Sequence, residues 1–72
     1  MKELDCFGDM CPLPLMRIME ELKKINSGES VRAVTDHSCV QESVTNHYKD
    51  RGAKVLVDEV MNGVWEITVT KP

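Results

Sequence analysis

The spacing of apolar residues changes along this chain in a definite order, and that order most limits the possible fold. Leu4 and Cys6 alternate with acidic neighbours, which is typical of a strand with one buried face. The next apolar residues recur at intervals of three and four, which predicts one face of a helix: Leu15, Ile18, Met19, Leu22 and Ile25. We expect Asn26-Ser27-Gly28 to end that helix. The chain therefore begins with a strand and a helix.

The middle of the chain predicts a second strand and a second helix. The apolar, β-branched run Val31–Thr35 is the strand. Ser38 and Gln41 have the spacing of a capping box, so the helix is expected to start at Ser38 after a turn. Three residues four apart predict its inner face, and a glycine follows where a left-handed conformation is needed: Val40, Val44, Tyr48 and Gly52.

The last third of the chain predicts a β-hairpin. Two β-branched runs, from Lys54 to Val60 and from Val64 to Thr70, flank Met61-Asn62-Gly63, and Asn-Gly is the strongest short-range hairpin signal. The predicted order is therefore βαβαββ. We expect an α/β (α+β) two-layer sandwich, a four-stranded mixed sheet with two helices on one face. A chain of 72 residues supports one core, so residues 1–72 are expected to form a single domain.

Composition argues against several classes of protein. The formal charge is −3, without a dense block of Lys and Arg, and there is only one Trp, one Tyr and one Phe, so we expect no nucleic-acid binding. No apolar run approaches the roughly 20 residues of a membrane-spanning helix. The polar, acidic start of the chain is unlike a signal peptide, which predicts a cytoplasmic protein. Its three cysteines are then expected to be thiols, and we expect no cofactor.

The predicted topology places chemistry-bearing residues at one edge of the sheet. A right-handed strand–helix–strand crossover makes the first two strands parallel, so both helices begin at the same edge. Cys11 precedes the first helix, while His37, Ser38 and Cys39 precede or begin the second. We therefore expect Cys11 to lie near the segment from His37 to Cys39.

Cys11 is the strongest candidate for chemistry because of its place before a helix. With Cys11 as the N-cap, Pro12 and Pro14 occupy the first and third helical positions, where neither removes a helical hydrogen bond. Spare backbone N–H groups and the helix dipole favour a thiolate or persulfide there, although Asp5 and Asp9 would oppose it if they lie close. Cysteine is a poor N-cap, so a purely structural role, as a small buried residue, is the weaker alternative.

The segment Asp5-Cys6-Phe7-Gly8-Asp9-Met10-Cys11-Pro12-Leu13-Pro14 resembles the signature of the TusA/SirA/YeeD-like sulfur-carrier family. The resemblance extends over essentially the whole chain. It implies a sulfurtransferase in which Cys11 carries sulfane sulfur as a persulfide, with Asp5, Gly8, Pro12 and Pro14 as motif residues. It also implies sulfur donor and acceptor proteins as partners.

The segment Thr35-Asp36-His37-Ser38-Cys39 looks more like the YeeD-like branch of that family. That branch is associated with a membrane transporter for thiosulfate. The resemblance therefore implies thiosulfate as a source of sulfur, received at the cytoplasmic mouth of such a transporter.

Other cysteines and histidines are weaker candidates. Cys39 could resolve a persulfide or pair with Cys11, and His37 could act as a nearby base or cation. Cys6 is expected in the core, and His47 on the helix surface. The residues Cys6, Cys11, His37 and Cys39 are numerous enough for zinc, but their spacing is not that of the usual ligand pairs, so we expect no metal site.

Three functions remain open at this point. The leading one is a sulfur carrier that uses Cys11. The second is a non-catalytic module that docks on a transporter or regulator and uses the Cys-Pro-x-Pro turn only as a rigid shape. The third is a dithiol redox protein that uses Cys11 and Cys39.

Overall fold

A computed structural model of the chain describes residues 2–8 and 13–72. The elements are β1 (Lys2–Asp5), α1 (Leu13–Leu22), β2 (Ser30–Thr35), α2 (Ser38–Tyr48), β3 (Lys54–Met61) and β4 (Val64–Thr70). The four strands form one sheet in the order β1-β2-β4-β3. β1 is parallel to β2, whereas β4 is antiparallel to both of its neighbours. The predicted βαβαββ order and the mixed sheet are confirmed.

The core lies between the two helices and one face of the sheet. Val31 of β2 faces Val69 of β4, and Ala33 faces Ile67, so inward-facing residues of the central strands form adjacent pairs. The helices supply the opposite layer through Ile18, Leu22, Val40, Val44 and Tyr48. Each such aliphatic side chain contributes about 1.5–3 kcal/mol when it is buried. The predicted inner faces of both helices are therefore confirmed.

The first helix is shorter than the apolar spacing suggested. α1 ends at Leu22, where the chain tightens into a turn in which the Lys24 N–H donates to the Glu21 carbonyl at 3.0 Å. Ile25 lies beyond the helix but still packs against the core. It is apolar because it contacts the core, and not because the helix continues to it. Among the described residues, no helix is long and apolar enough to cross a membrane.

The hairpin loop is also shorter than predicted. β3 continues through Met61, which pairs with Val64, so only Asn62 and Gly63 form the loop. Gly63 adopts a left-handed φ of 77°, which a two-residue hairpin loop favours. The register shifts between Glu59 and Met61, and this irregularity interrupts β3 near its end.

The predicted capping box at Ser38 is wrong. Ser38 is the first helical residue of α2, and the cap position is His37, whose side chain makes no capping hydrogen bond. The Val40 N–H instead donates to the His37 carbonyl at 3.2 Å, so the tight first turn of α2 begins at His37. A capping box with Ser38 as the cap would need the helix to begin one residue later.

Candidate functional site

The candidate site is the sheet edge where the parallel strands β1 and β2 both end. Beyond the last residue of β1, the Cys6 N–H donates to the Val34 carbonyl at 2.9 Å, which extends the parallel pairing by one step. The chain after β1 is thereby held beside the chain after β2. Those two segments lead to α1 and α2, respectively.

A tight turn follows β1. One carboxylate oxygen of Asp5 accepts the Phe7 N–H at 3.1 Å, an interaction by which aspartate stabilises turns. Gly8 adopts a φ of 80°, a left-handed conformation that costs a residue with a Cβ about 1–2 kcal/mol. The Arg17 Nη1 donates to the Asp5 carbonyl at 3.0 Å and ties α1 to the end of β1. Asp5 and Gly8 therefore shape the turn that follows β1.

Asp36 links the two segments of the edge. Its Oδ1 accepts the Gly8 N–H at 3.2 Å and lies 2.9 Å from Nδ1 of His37. The Gly8 N–H holds the pKa of the Asp36 carboxyl below its ordinary value, with partial desolvation opposing this and His37 assisting it. Asp36 is therefore an anion at neutral pH, and its charge holds the loop after β1 against the loop after β2.

This contact predicts a pH-dependent hydrogen bond at Gly8. Because the pKa of Asp36 is lowered in the folded protein, the bond is complete above pH 3.8, the ordinary value, and is lost only as the pH falls through the lower pKa of the folded state. In a series of amide NMR spectra, we expect the Gly8 amide proton to shift with a midpoint below pH 3.8.

The matched variant is Asp36→Asn, which keeps the shape of the side chain but has no carboxyl to titrate. We expect this variant to lose the Gly8 step, while the amide of Gly52, at the other end of α2, changes little in either protein. A Gly8 midpoint at or above the ordinary value would show that Asp36 does not hold this loop.

The start of α2 lies at the same edge. Oγ1 of the buried Thr35 accepts the His37 N–H at 3.2 Å, which positions the turn between β2 and α2. Cys39 is the second residue of α2, and its thiol is exposed. The predicted candidates His37 and Cys39 therefore belong to this edge, together with Gly8.

The other predicted candidates have different positions. Cys6 is completely buried in the core, as predicted. Pro14 is the second residue of α1 and is also buried. Cys11 and Pro12 lie outside the described residues, so their predicted roles stay predictions.

Sequence reasoning missed two residues at this edge. The sequence does not single out Arg17, but its guanidinium reaches back along α1 to the end of β1. Asp36 has no predicted role beyond its place in the segment from Thr35 to Cys39. Its position directly after β2 could have identified it. Polar residues that directly follow a buried parallel strand lie at the carboxyl edge of the sheet, where binding and catalytic sites form.

The opposite end of the molecule is a separate region. His47 stacks edge to face on Tyr48, with ring centroids 4.7 Å apart, and both line a cavity of about 250 Å³ at the carboxyl ends of the helices. His47 is thus distant from the candidate site. In the described part of the chain, no group of three or more His, Cys, Asp or Glu side chains could hold a metal ion.

Three large apolar side chains close in sequence to the Cys-Pro-x-Pro motif are exposed. Phe7, just before it, is 50% exposed, and Leu13, within it, is 46% exposed. Met16, one turn further along α1, is 57% exposed. Large apolar side chains grouped on a surface mark sites of contact with other proteins.

Comparisons with known proteins agree on one family. A family described as "Sulfurtransferase TusA" matches residues 2–71. The chain is 30% identical over 71 residues to a protein of Methanocaldococcus jannaschii named as a candidate sulfur carrier, covering 99% of this chain and 95% of that one. A second such protein, from Archaeoglobus fulgidus, is 30% identical over 69 residues, covering 94% and 78%. The crystal structure of a SirA-like protein from Desulfitobacterium hafniense is similar with a TM-score of 0.88 and 25% identity, covering 97% and 96%.

Proposed function

The chain belongs to the TusA sulfurtransferase family, and on that premise we propose that it carries sulfur on Cys11 and relays it between partner proteins. The observation that carries the proposal is that three large apolar side chains close to the motif in sequence, Phe7, Leu13 and Met16, are each exposed. A protein partner covers such a surface, whereas a small substrate alone would leave it exposed.

The proposed chemistry is two successive displacements at sulfur. In the first, the Cys11 thiolate attacks the outer sulfur of a donor such as thiosulfate. The new S–S bond forms as the old one breaks, and sulfite leaves with the electron pair. In the second, a thiolate of the acceptor attacks the outer sulfur of the Cys11 persulfide, and the Cys11 thiolate leaves. No external oxidant or reductant is needed in either step.

The electrostatics of the edge support an anionic donor. The Arg17 guanidinium lies at the end of β1, and α2 begins at the same edge with its N-terminal N–H groups. Both features favour anions. Asp36 and Asp5 are opposing charges at this edge, but one carboxylate oxygen of Asp36 is engaged with Gly8 and His37, and one of Asp5 accepts the Phe7 N–H. Asp36 therefore acts as a positioning residue that holds the loop.

The partners and location follow from the resemblance and not from the fold. We propose thiosulfate or a protein persulfide as the donor, and a membrane thiosulfate transporter of the kind associated with the YeeD-like branch as a partner. The protein then acts in the cytoplasm, at the inner mouth of that transporter. The segment from Thr35 to Cys39 is the feature that supports this branch.

The proposal is tested by locating the added sulfur. The reduced protein is incubated with thiosulfate, and separately with a persulfidated donor protein. It is then alkylated, digested and analysed by mass spectrometry. We expect the mass of one sulfur atom on the peptide that contains Cys11, and none on the peptide that contains Cys39. Sulfur found on Cys39 alone would contradict the assignment.

A second candidate function, dithiol redox chemistry, is favoured by the exposed thiol of Cys39 at the same edge. In that case Cys11 and Cys39 form a disulfide on mild oxidation, with loss of two protons and two electrons to the oxidant. Non-reducing peptide mapping distinguishes the two functions, because a carrier acquires an outer sulfur whereas a dithiol protein acquires a Cys11–Cys39 crosslink.

A further inference from the structure

β3 is an outer strand of the sheet and has an unusually apolar surface. Its inner edge pairs with β4, and no described element pairs with its outer edge. Seven large apolar side chains are exposed among the described residues, and four of them belong to β3: Leu56, Val57, Val60 and Met61. An outer strand with exposed apolar residues is a template for pairing with another strand.

The open face of the sheet is less suited to association with a second copy. Arg32 in β2 lies 3.3 Å from Glu66 and 3.9 Å from Glu3, so this face has its own ion pairs. Packing two such faces together would bury those charges, which is costly. Any contact with a second copy is therefore better made through the edge of β3.

The charges of β3 select one way for two copies to pair. In a continuous antiparallel sheet related by a twofold axis, residues that face each other point to the same side of the sheet. Lys54, Leu56 and Asp58 alternate with Val55 and Val57, so they share the side opposite the helices. Centring the pair on Leu56 places each Lys54 opposite the Asp58 of the other copy and each Val55 opposite a Val57.

Neighbouring registers lose this match. Centring on Val57 places Leu56 opposite Asp58, and centring on Asp58 places two carboxylates opposite each other, which is unfavourable. The irregularity between Glu59 and Met61 ends the regular edge just after this segment. The regular edge of β3 therefore coincides with the five residues that the Leu56-centred register uses.

We propose that two copies of this chain associate through β3, antiparallel about Leu56, to form one eight-stranded sheet with the helices of both copies on one face. β1 lies at the far side of each four-stranded sheet, so the candidate site of each copy stays open to partners. A five-residue strand pair buries less than the roughly 1,200 Å² of standard protein complexes, so the dimer dissociates on dilution.

The charge pairs provide the first test. Sedimentation equilibrium of the full chain over a range of concentrations gives the dimer dissociation constant. Lys54→Asp and Asp58→Lys each turn both symmetric ion pairs into like-charge pairs, and we expect each to weaken the dimer about tenfold. The double variant Lys54→Asp/Asp58→Lys restores opposite charges and should return to within about threefold of the wild type. Both residues are exposed, and circular dichroism checks that each variant is folded.

Crosslinking provides the second test. Leu56→Cys is made in a chain that also carries Cys11→Ser and Cys39→Ser, which leaves only the buried Cys6. The introduced thiols at position 56 of the two copies face each other across the axis, so mild oxidation should yield a covalent dimer. Glu59→Cys in the same background is the matched control, because Glu59 is exposed and outside the proposed ion pairs, and its two copies are six residues apart in register and should crosslink much less.

Three results would overturn the proposal. One is a wild type that stays monomeric over the whole concentration range. Another is a dimer that the single charge variants do not weaken, which would place the contact elsewhere. The third is equal crosslinking of Leu56→Cys and Glu59→Cys, which would exclude the Leu56-centred register.

Discussion

Replacing Cys11 by serine is expected to abolish sulfur loading and to lower sulfur relay by about a thousandfold or more, as expected for loss of the nucleophile in covalent catalysis. The physical reason is that a serine hydroxyl is not ionised at neutral pH and cannot hold an outer sulfur. The measurement is intact mass after incubation with a persulfidated donor, followed by the rate at which labelled sulfur reaches an acceptor thiol.

Cys39→Ser is the matched control for that experiment. It removes the exposed thiol of α2 and leaves Cys11 in place, so a carrier should load normally. If both variants lose activity equally, the dithiol function is favoured. If Cys11→Ser keeps both partner binding and function in cells, the protein is a binding module that uses the Cys-Pro-x-Pro turn as a shape.

Replacing Ile67 by alanine is expected to lower the free energy of unfolding by about 2–5 kcal/mol. Ile67 is completely buried in β4, where it faces Ala33 of β2 on one side and Val57 of β3 on the other. Ala33 is too small to fill the resulting cavity. Small domains are stable by only about 5–15 kcal/mol, so this single change removes a large share of the stability. Urea unfolding followed by circular dichroism measures the loss.

Val57→Ala is the control for Ile67→Ala. It removes a branched apolar side chain from the residue that faces Ile67, but Val57 is 38% exposed and leaves no enclosed cavity. We expect a loss of about 1 kcal/mol or less. Equal losses for the two variants would show that the core does not extend under the centre of β4.

The fold was largely predictable because its signals are local. The alternation at Leu4 and Cys6, the interval of four from Val40 to Tyr48 and the Asn62-Gly63 turn each depend on residues close in sequence. The failures were also local in origin. The spacing of Ile25 fitted a helix although a turn had already begun, and the Ser38 side chain matched a capping box that the tight turn at His37 excludes.

The candidate site was only partly predictable. Parallel β1 and β2 and a shared edge followed from the handedness of the crossover. The contact between Gly8 and Asp36 did not, because these residues are 28 positions apart and either could have faced solvent. Arg17 was missed for a related reason, since the reach of a long side chain depends on how α1 packs against β1.

Sequence alone determined the helices and strands, their buried faces and Cys11 as the residue to test. The spacing of apolar residues, the turn residues and the Cys-Pro-x-Pro motif all depend only on residues close together in the chain. Only the tertiary structure decided that β4 inserts between β2 and β3, that Asp36 holds the loop before the motif, and that the outer edge of β3 is left apolar and open. These features depend on contacts between distant residues, whose geometry is settled only when the sheet and its helices pack together.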